Sequence, residues 1–279
     1  MPGMVNAHQD IELTQHEFDE IRELVREITG ISLSEAKHDL VYSRFRKRLR
    51  ANGLNSFAQY IELVRSGAAD EREQFANAIT TNLTSFFREA HHFEYLKKHV
   101  IPDLSERSNR RIRMWSAGCS TGEEVYSIAV TLLQNWQSIR QFDVKLLATD
   151  LDSSVVATAH DGIYVESRIE DIEESLRRRW FSRVRGDSGS VQVDAEARKL
   201  VYSKVLNLME PWPVKGPFQV IFCRNTVIYF TKDVQRVLFD RFAELQEVGD
   251  YLFVGHSESL SRVTDRYELV DRTVYRKTH

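Results

Sequence analysis

The sequence predicts an α/β fold. A mostly parallel sheet carries helices on both faces, follows an all-α N-terminal bundle, and is interrupted by a small inserted antiparallel β-subdomain. Three observations predict it. From about Arg111 onward, short apolar runs alternate with helix-period stretches, the pattern of repeated strand–helix units. Two of those runs, VKLLA and VIF, are apolar without a break, as strands buried on both faces are. Residues 11–80 show helical periodicity throughout, with short glycine-marked stops between segments.

Within the N-terminal part, Phe18, Ile21, Leu24, Val25 and Ile28 recur at helical spacing and Gly30 stops them. A second helix is predicted from about Ser34 to Ala51, ended by Asn52-Gly53. A third covers Phe57–Val64, and a fourth begins near Asp70. Strands follow at residues 111–117 (RIRMWSA), 144–150 (VKLLATD), 218–225 (FQVIFCRN) and 250–255 (DYLFVG). The first three lead into helical stretches: EVYSIAVTLLQNW, LDSSVVATAH and KDVQRVLFDRFAEL. YELV and TVYRK predict a closing hairpin. Residues 166–205 break the alternation with a charged helix, RIEDIEESLRRRWF, and a Gly/Ser turn among extended segments. The expected division is a helical domain at 1–80, a linking segment at 81–110, and an α/β domain at 111–279 whose β-subdomain lies at about 188–205.

Composition narrows the function classes. The chain's 279 residues suit one large domain or two modest ones, at roughly 100–200 residues each. Lys and Arg total 38 against 41 Asp and Glu, a net charge of −3, which argues against binding polyanions over the whole surface. Two cysteines, Cys119 and Cys223, form neither a disulfide framework nor a metal pattern, and fit a reducing cytosol. The start MPGMVNAHQD lacks the basic and apolar regions of a signal peptide. No run approaches the roughly 18 apolar residues of a membrane span.

Five segments carry candidate chemistry. WSAGCSTGEE (115–124) sits where the first strand meets its helix, the edge at which open α/β sheets bind ligands. It matches neither GxGxxG nor GxxxxGK[ST], and it lacks a lysine for a phosphate. Glu123 and Glu124 would repel a pyrophosphate and suit an amine- or sulfonium-bearing ligand; a tight turn with acidic first-turn residues is the plain alternative. Asp150 ends the second strand 32 residues after Gly118, where a carboxylate can accept from both hydroxyls of a ribose, whereas Asp152 fits a helix cap. Arg224, Asn225 and Tyr229 follow the third strand and offer donors over the crevice. In TTNLTSFFRE (80–89), Thr84 or Ser85 would cap a helix that places Arg88 against the helix dipole. Residues 37–50 hold six Lys or Arg and one Asp, around an apolar stripe of Val41, Phe45 and Leu49. That is either a solvated face or a dock for an acidic partner.

Taken together and in order, TTNLTSFFREAHHF, WSAGCSTGEEVYSIA, ATDLD, FCRNTVIYF and GHSESL make the chain resemble the chemotaxis receptor methyltransferase family, CheR, over nearly its whole length. The resemblance implies a class I S-adenosylmethionine-dependent (Rossmann-like) methyltransferase domain and a protein-glutamate O-methyltransferase acting on chemoreceptor helices. It implies that Asn82, Thr84, Arg88, Glu124, Asp150, Asn207, Leu208, Arg224 and Asn225 contact the cofactor, and that Arg88 and Tyr229 sit nearest the reacting methyl. It implies no metal. Arg44, Lys47, Arg48 and Arg50 would dock the receptor bundle, and the β-subdomain is a place for a receptor tail peptide to add at a sheet edge. The expected location is the cytoplasm, recruited to membrane receptor arrays without membrane insertion. Thr226 departs from the aliphatic residue usual in the family.

The residue inventory agrees with that chemistry. A glutamate with a pKa near 4.3 is already ionised at neutral pH, and no histidine in these motifs is placed as a base. Two rivals are a nucleic-acid methyltransferase of the same fold and a non-catalytic module that senses S-adenosylmethionine. One compact basic helix, rather than a broad basic surface, and the motif CRN speak against nucleic acid. Cofactor binding without turnover would mark the sensor.

Overall fold

The computed structural model describes residues 11–279, so the reading of the first ten residues lies outside it. The chain forms two compact units, the first ending at Thr80 and the second comprising Thr81–His279.

Among the described residues, the first unit forms four α-helices: α1 (Gln15–Thr29), α2 (His38–Ala51), α3 (Phe57–Arg65) and α4 (Ala69–Ile79). Thr14 opens α1 with a reciprocal cap, accepting from the Glu17 amide while the Glu17 carboxylate accepts from its own. Gly30, at φ 76°, ends it in the left-handed conformation that glycine adopts freely. The apolar stripe of α2 is buried as its spacing predicts, with Phe45 stacked on Phe75 at 4.6 Å.

The flanks of that stripe correct the sequence reading. Arg48 is not on a free docking face: its Nε and Nη2 donate to Glu71 at 3.0 and 2.6 Å, and Tyr60 and Asn52 also donate to that carboxylate. Burial pushes Glu71 up, but these hydrogen bonds outweigh it and hold the carboxyl below its usual range. Arg44 donates to the carbonyls of Ala78, Ile79 and Thr80, satisfying the open end of α4. Lys47 and Arg50 are exposed. Arg48→Ala is therefore expected to cost stability, about 2 kcal/mol read from the urea midpoint of the full chain, because it leaves Glu71 short of its main partner. An unchanged midpoint would return Arg48 to the solvated face.

The second unit is built on a seven-stranded sheet. Its strands are β1 (Arg111–Ala117), β2 (Asp143–Asp150), β6 (Val201–Val205), β7 (Val220–Cys223), β8 (Tyr251–Val254), β9 (Tyr267–Asp271) and β10 (Val274–Lys277). They lie in the order β6-β2-β1-β7-β8-β10-β9, parallel except for the terminal hairpin. Strand alternation sorts side chains into two cores, one per face: Val220, Phe222, Tyr251 and Phe253 on one, and Ile221, Cys223, Leu252 and Val254 on the other. Phe222 and Phe253 stack at 4.2 Å across β7 and β8. Helices α5 (His91–Tyr95), α6 (Ile101–Glu106), α7 (Glu123–Asn135), α8 (Ser153–Asp161), α9 (Glu174–Trp180), α10 (Ala195–Arg198) and α11 (Lys232–Glu244) complete the unit. One wide turn, Leu96–Val100, joins α5 to α6.

Two boundaries differ from the sequence reading. The small antiparallel sheet is β3 (Ile163–Val165), β4 (Phe181–Arg183) and β5 (Ser190–Val193), in the order β3-β5-β4. The segment 201–205, read as part of that subdomain, is instead the edge strand of the main sheet, paired in parallel with β2. It is an extended run after the Gly/Ser turn, so sequence alone groups it with that excursion, and its Tyr202 and Val205 are exposed at the sheet edge. Residues 81–90 form no helix, and neither Thr84 nor Ser85 is a cap. Phe87 and Glu89 take φ of 52° and 59°, which a right-handed helix cannot absorb, so the helix starts only at His91.

Candidate active site

The order of strands reverses at β1, with β2 on one side and β7 on the other. The loops beyond the carboxyl ends of these strands define the crevice where such sheets bind ligands. Most candidates of the second unit lie at this edge, on those loops, at the end of β2, in the first turn of α7 or on the segment 82–89, and Asn207 and Leu208 lie beyond β6.

The loop after β1 is fixed by backbone and by close packing. The amides of Gly118 and Cys119 both donate to the Thr149 carbonyl, at 2.8 and 2.9 Å. Gly122, at φ 97°, caps α7, and a Cβ there would lie 2.8 Å from the Ala159 backbone. Ser120, also left-handed, donates its amide to Asp150 Oδ2 at 2.8 Å and its hydroxyl to the Asn82 carbonyl at 2.9 Å. Asp150 Oδ1 accepts from the Asp152 amide, so each oxygen of Asp150 keeps lone pairs for a further donor. Burial pushes the Asp150 carboxyl up, and these amide bonds offset part of the rise. Asp152 caps α8 through the Ser154 amide and accepts from Asn82 Nδ2 at 2.7 Å, which ties the 82–84 segment to the end of β2.

The two carboxylates that open α7 are buried and internally partnered. Glu123 pairs with Arg168 at 2.7 Å and accepts from the Thr121 hydroxyl. Glu124 accepts from the Ser116 hydroxyl at 2.7 Å and from Arg224 Nη1 at 3.1 Å. Burial raises Glu124, with Arg224 and Ser116 holding it down in part.

Arg224 is the hub. Only 2% of its side chain is exposed; Nη2 lies 3.4 Å from Glu89 Oε2 and donates to the Arg88 carbonyl. The guanidinium thus braces Glu124 against Glu89 and fixes the 88–89 backbone. Asn225 follows at φ 56°, and its amide, with those of Val227, Ile228 and Gly255, donates to the buried Glu258. Burial pushes Glu258 up and the four amides offset part of that. One carboxylate on the loop after β8 therefore shapes the loop after β7, including the turn that presents a half-buried Tyr229. Gly255 makes room: a Cβ there would stand 2.6 Å from Asn225 Nδ2.

Asn207 and Leu208 follow β6 on the same edge. Asn207 accepts from the Met209 amide, while the Leu208 side chain is buried in the core beside Trp115. Arg88 is half-buried, with Nη1 on the Leu83 carbonyl at 2.9 Å. Thr84 is half-buried, and its carbonyl accepts from Arg168. Ser116, Glu89, Arg168 and Glu258 were not singled out as site residues. Glu89 and Glu258 lie inside the quoted motifs, but their roles depend on partners far away in sequence. Glu89, His91 and His92 cluster closely enough to hold a cation. Arg224 already stands beside Glu89, and burial, Arg224 and His91 push His92 down to about 2, leaving its ring neutral against the Thr273 hydroxyl.

This donor set fits an adenosyl sulfonium ligand: an oriented carboxylate at the end of β2, two more opening α7, and a glycine turn without lysine between β1 and α7. Comparison with known proteins agrees. Residues 16–80 match the CheR methyltransferase all-alpha domain and residues 82–276 the CheR methyltransferase SAM binding domain. A probable chemotaxis protein methyltransferase of Rhizobium etli is 46% identical, over 89% of this chain and 95% of its own. Chemotaxis protein methyltransferase 2 of Pseudomonas aeruginosa is 41% identical over 98% and 97%, and the chemotaxis protein methyltransferase of Escherichia coli 39% over 98% and 94%. The chain belongs to the CheR methyltransferase family and is an S-adenosylmethionine-dependent methyltransferase.

Proposed function

We propose that the protein methylates glutamate side chains of chemoreceptors, forming glutamyl methyl esters in sensory adaptation. The observation that carries this reading is the match of both units, in order, to chemotaxis methyltransferases across nearly the whole chain. S-adenosylmethionine, when bound, supplies a methyl group activated by its sulfonium.

The chain's residues divide the remaining work. Asp150 holds the ribose, and Glu124, braced by Arg224, faces the ammonium and sulfonium end. Asn82, Thr84, Asn207, Leu208 and Asn225 complete the pocket wall. A carboxylate acceptor needs no general base. The task is to align it and exclude water. Arg88 orients the acceptor carboxylate, and Tyr229 does so by a hydrogen bond. Arg88→Ala is expected to lower turnover on the order of 100-fold while changing product-nucleoside affinity far less. Unchanged turnover at saturating cofactor and receptor would remove Arg88 from this role.

The receptor's cytoplasmic helical bundle docks on the exposed charges of α2, Lys47 and Arg50. Methylation removes a negative charge from the receptor, so this face favours substrate over product, and its affinity falls with salt. The edge of the small sheet offers a place for a receptor tail strand. No helix among the described residues is long and apolar enough to cross a membrane. The enzyme works on the cytoplasmic side of receptor arrays, where the receptor's helical bundle lies.

The direct test is transfer from methyl-labelled S-adenosylmethionine to a receptor cytoplasmic fragment, followed by mild base. Label released as methanol, and absent when the receptor glutamates are changed, establishes the ester. Label that survives base moves the acceptor to another atom.

A further inference from the structure

Leu83 stands between Asn82 and Thr84, and at 77% exposure it is more open than any other large apolar side chain described. It is not on a loose loop. Asn82 is held at its amide by Asp152 and at its carbonyl by Ser120. The Leu83 carbonyl accepts from Arg88 at 2.9 Å, and the Thr84 carbonyl accepts from Arg168 at 3.3 Å. Three successive residues are thus anchored, and the middle one directs an aliphatic side chain at solvent. A rigid exposed aliphatic beside a binding edge is a contact in waiting.

Its neighbour states the partner's charge. Among the described residues Arg88 meets no carboxylate; its guanidinium rests on a neutral carbonyl, half-buried, with donors still open. A second exposed aliphatic, Ile228 at 46%, immediately precedes Tyr229. Each of the two residues expected nearest the reacting methyl therefore has an open aliphatic close by in the chain.

We infer that Leu83 reads the acceptor. It seats on an apolar side chain of the acceptor helix that lies beside the target glutamate, while Arg88 takes the carboxylate. Leu83 is a specificity-determining residue, not a catalytic one. The inference rests on the glutamyl methyltransferase reading above.

The test is initial-rate kinetics on a receptor cytoplasmic fragment with labelled S-adenosylmethionine, beside calorimetric binding of S-adenosylhomocysteine. Leu83→Ala is expected to raise KM for the receptor about fivefold with the loss confined to KM. Leu83→Asp sets a like charge against an acidic partner and is expected to lower kcat/KM at least about 30-fold. Leu83→Met should keep at least about half of wild-type kcat/KM, since it preserves the apolar volume. Nucleoside affinity is expected to stay within about twofold in all three, because the side chain points away from packed structure. Leu83→Asp at wild-type kcat/KM overturns the inference, and so does a parallel loss of nucleoside binding, which would make Leu83 part of the cofactor site. A wild-type enzyme that labels no receptor overturns the underlying reading instead, so the two failures are distinct.

Discussion

Arg224→Met is expected to destabilise the protein by about 3–5 kcal/mol near neutral pH and by clearly less near pH 4, read as denaturant midpoints across that range. The guanidinium is almost fully buried and pairs with Glu124 at 3.1 Å and Glu89 at 3.4 Å. Methionine fills much of the same volume, so the loss is mainly electrostatic. Two carboxylates would then face each other without a cation. Burial already places the folded Glu124 carboxyl above its usual 4.5, and Glu89 adds to that rise. A group raised in the folded state contributes stability fully below its unfolded pKa and loses it as pH climbs through the folded value. Without Arg224 the folded value climbs further, so the variant's deficit grows with pH from about 4.5 upward.

His92 acts in the same direction. In the wild type it is pushed down to about 2 by burial, then by Arg224 and His91, so acid penalises the folded state below the ordinary histidine value of 6.5. Burial and His91 remain in the variant, but removing Arg224 relieves part of that penalty, which narrows the gap further at low pH. A deficit that does not change between pH 4 and pH 8 would mean that Arg224 contributes by packing, through its contact with Phe93, and not as a counter-ion.

The brace also shows where sequence reasoning stops. Asp150 was legible because it ends an apolar strand one strand–helix step after the glycine turn, and local pattern is enough to place it. Arg224 was legible as a polar residue at a strand end, but its partner was not. Strand order brings the loop after β7 beside the loop after β1, and only the fold puts Glu89 within reach. Glu258 was hidden for the same reason: it bonds four amides on two loops, and nothing in GHSESL marks a carboxylate that turns inward. Arg44 and Arg48 show a different limit. Helical periodicity gives the apolar stripe of α2 correctly, yet the residues flanking that stripe meet α4, where Glu71 and the open helix end capture them. The left-handed Phe87 and Glu89 carry no sequence signature that a glycine would have supplied, so a helix was expected there. The main strands were readable from continuous apolar runs, and β5 of the small sheet as the extended SVQVD, whereas the three-residue β3 and β4 were too short to carry a pattern.

Gly118→Ala is expected to cost about 2–4 kcal/mol and at least about tenfold in nucleoside affinity, with roughly half of both recovered by adding Thr226→Ala. Two separate penalties meet at this glycine. Its φ of 86° lies in the left-handed region, which costs a residue with a side chain about 1–2 kcal/mol. A Cβ there would also stand 2.2 Å from Thr226 Oγ1 and 3.2 Å from its Cβ and Cγ2. The loops after β1 and β7 close on each other at this point, because the two strands are adjacent in the sheet. The Thr226 hydroxyl donates to the Arg224 carbonyl at 3.2 Å, so pushing it aside also disturbs the brace on Glu124. Thr226→Ala removes the Oγ1 and Cγ2 clashes but cannot change φ, and so the rescue is partial. Gly122→Ala serves as the contrast: its added Cβ would meet the Ala159 backbone at 2.8 Å, and no side-chain trimming relieves that. A double-mutant cycle measures the difference. Strong coupling between positions 118 and 226 confirms that the crevice wall is two interlocked loops. Additive effects would mean that the wall yields at Thr226 without cost and that backbone strain alone requires the glycine.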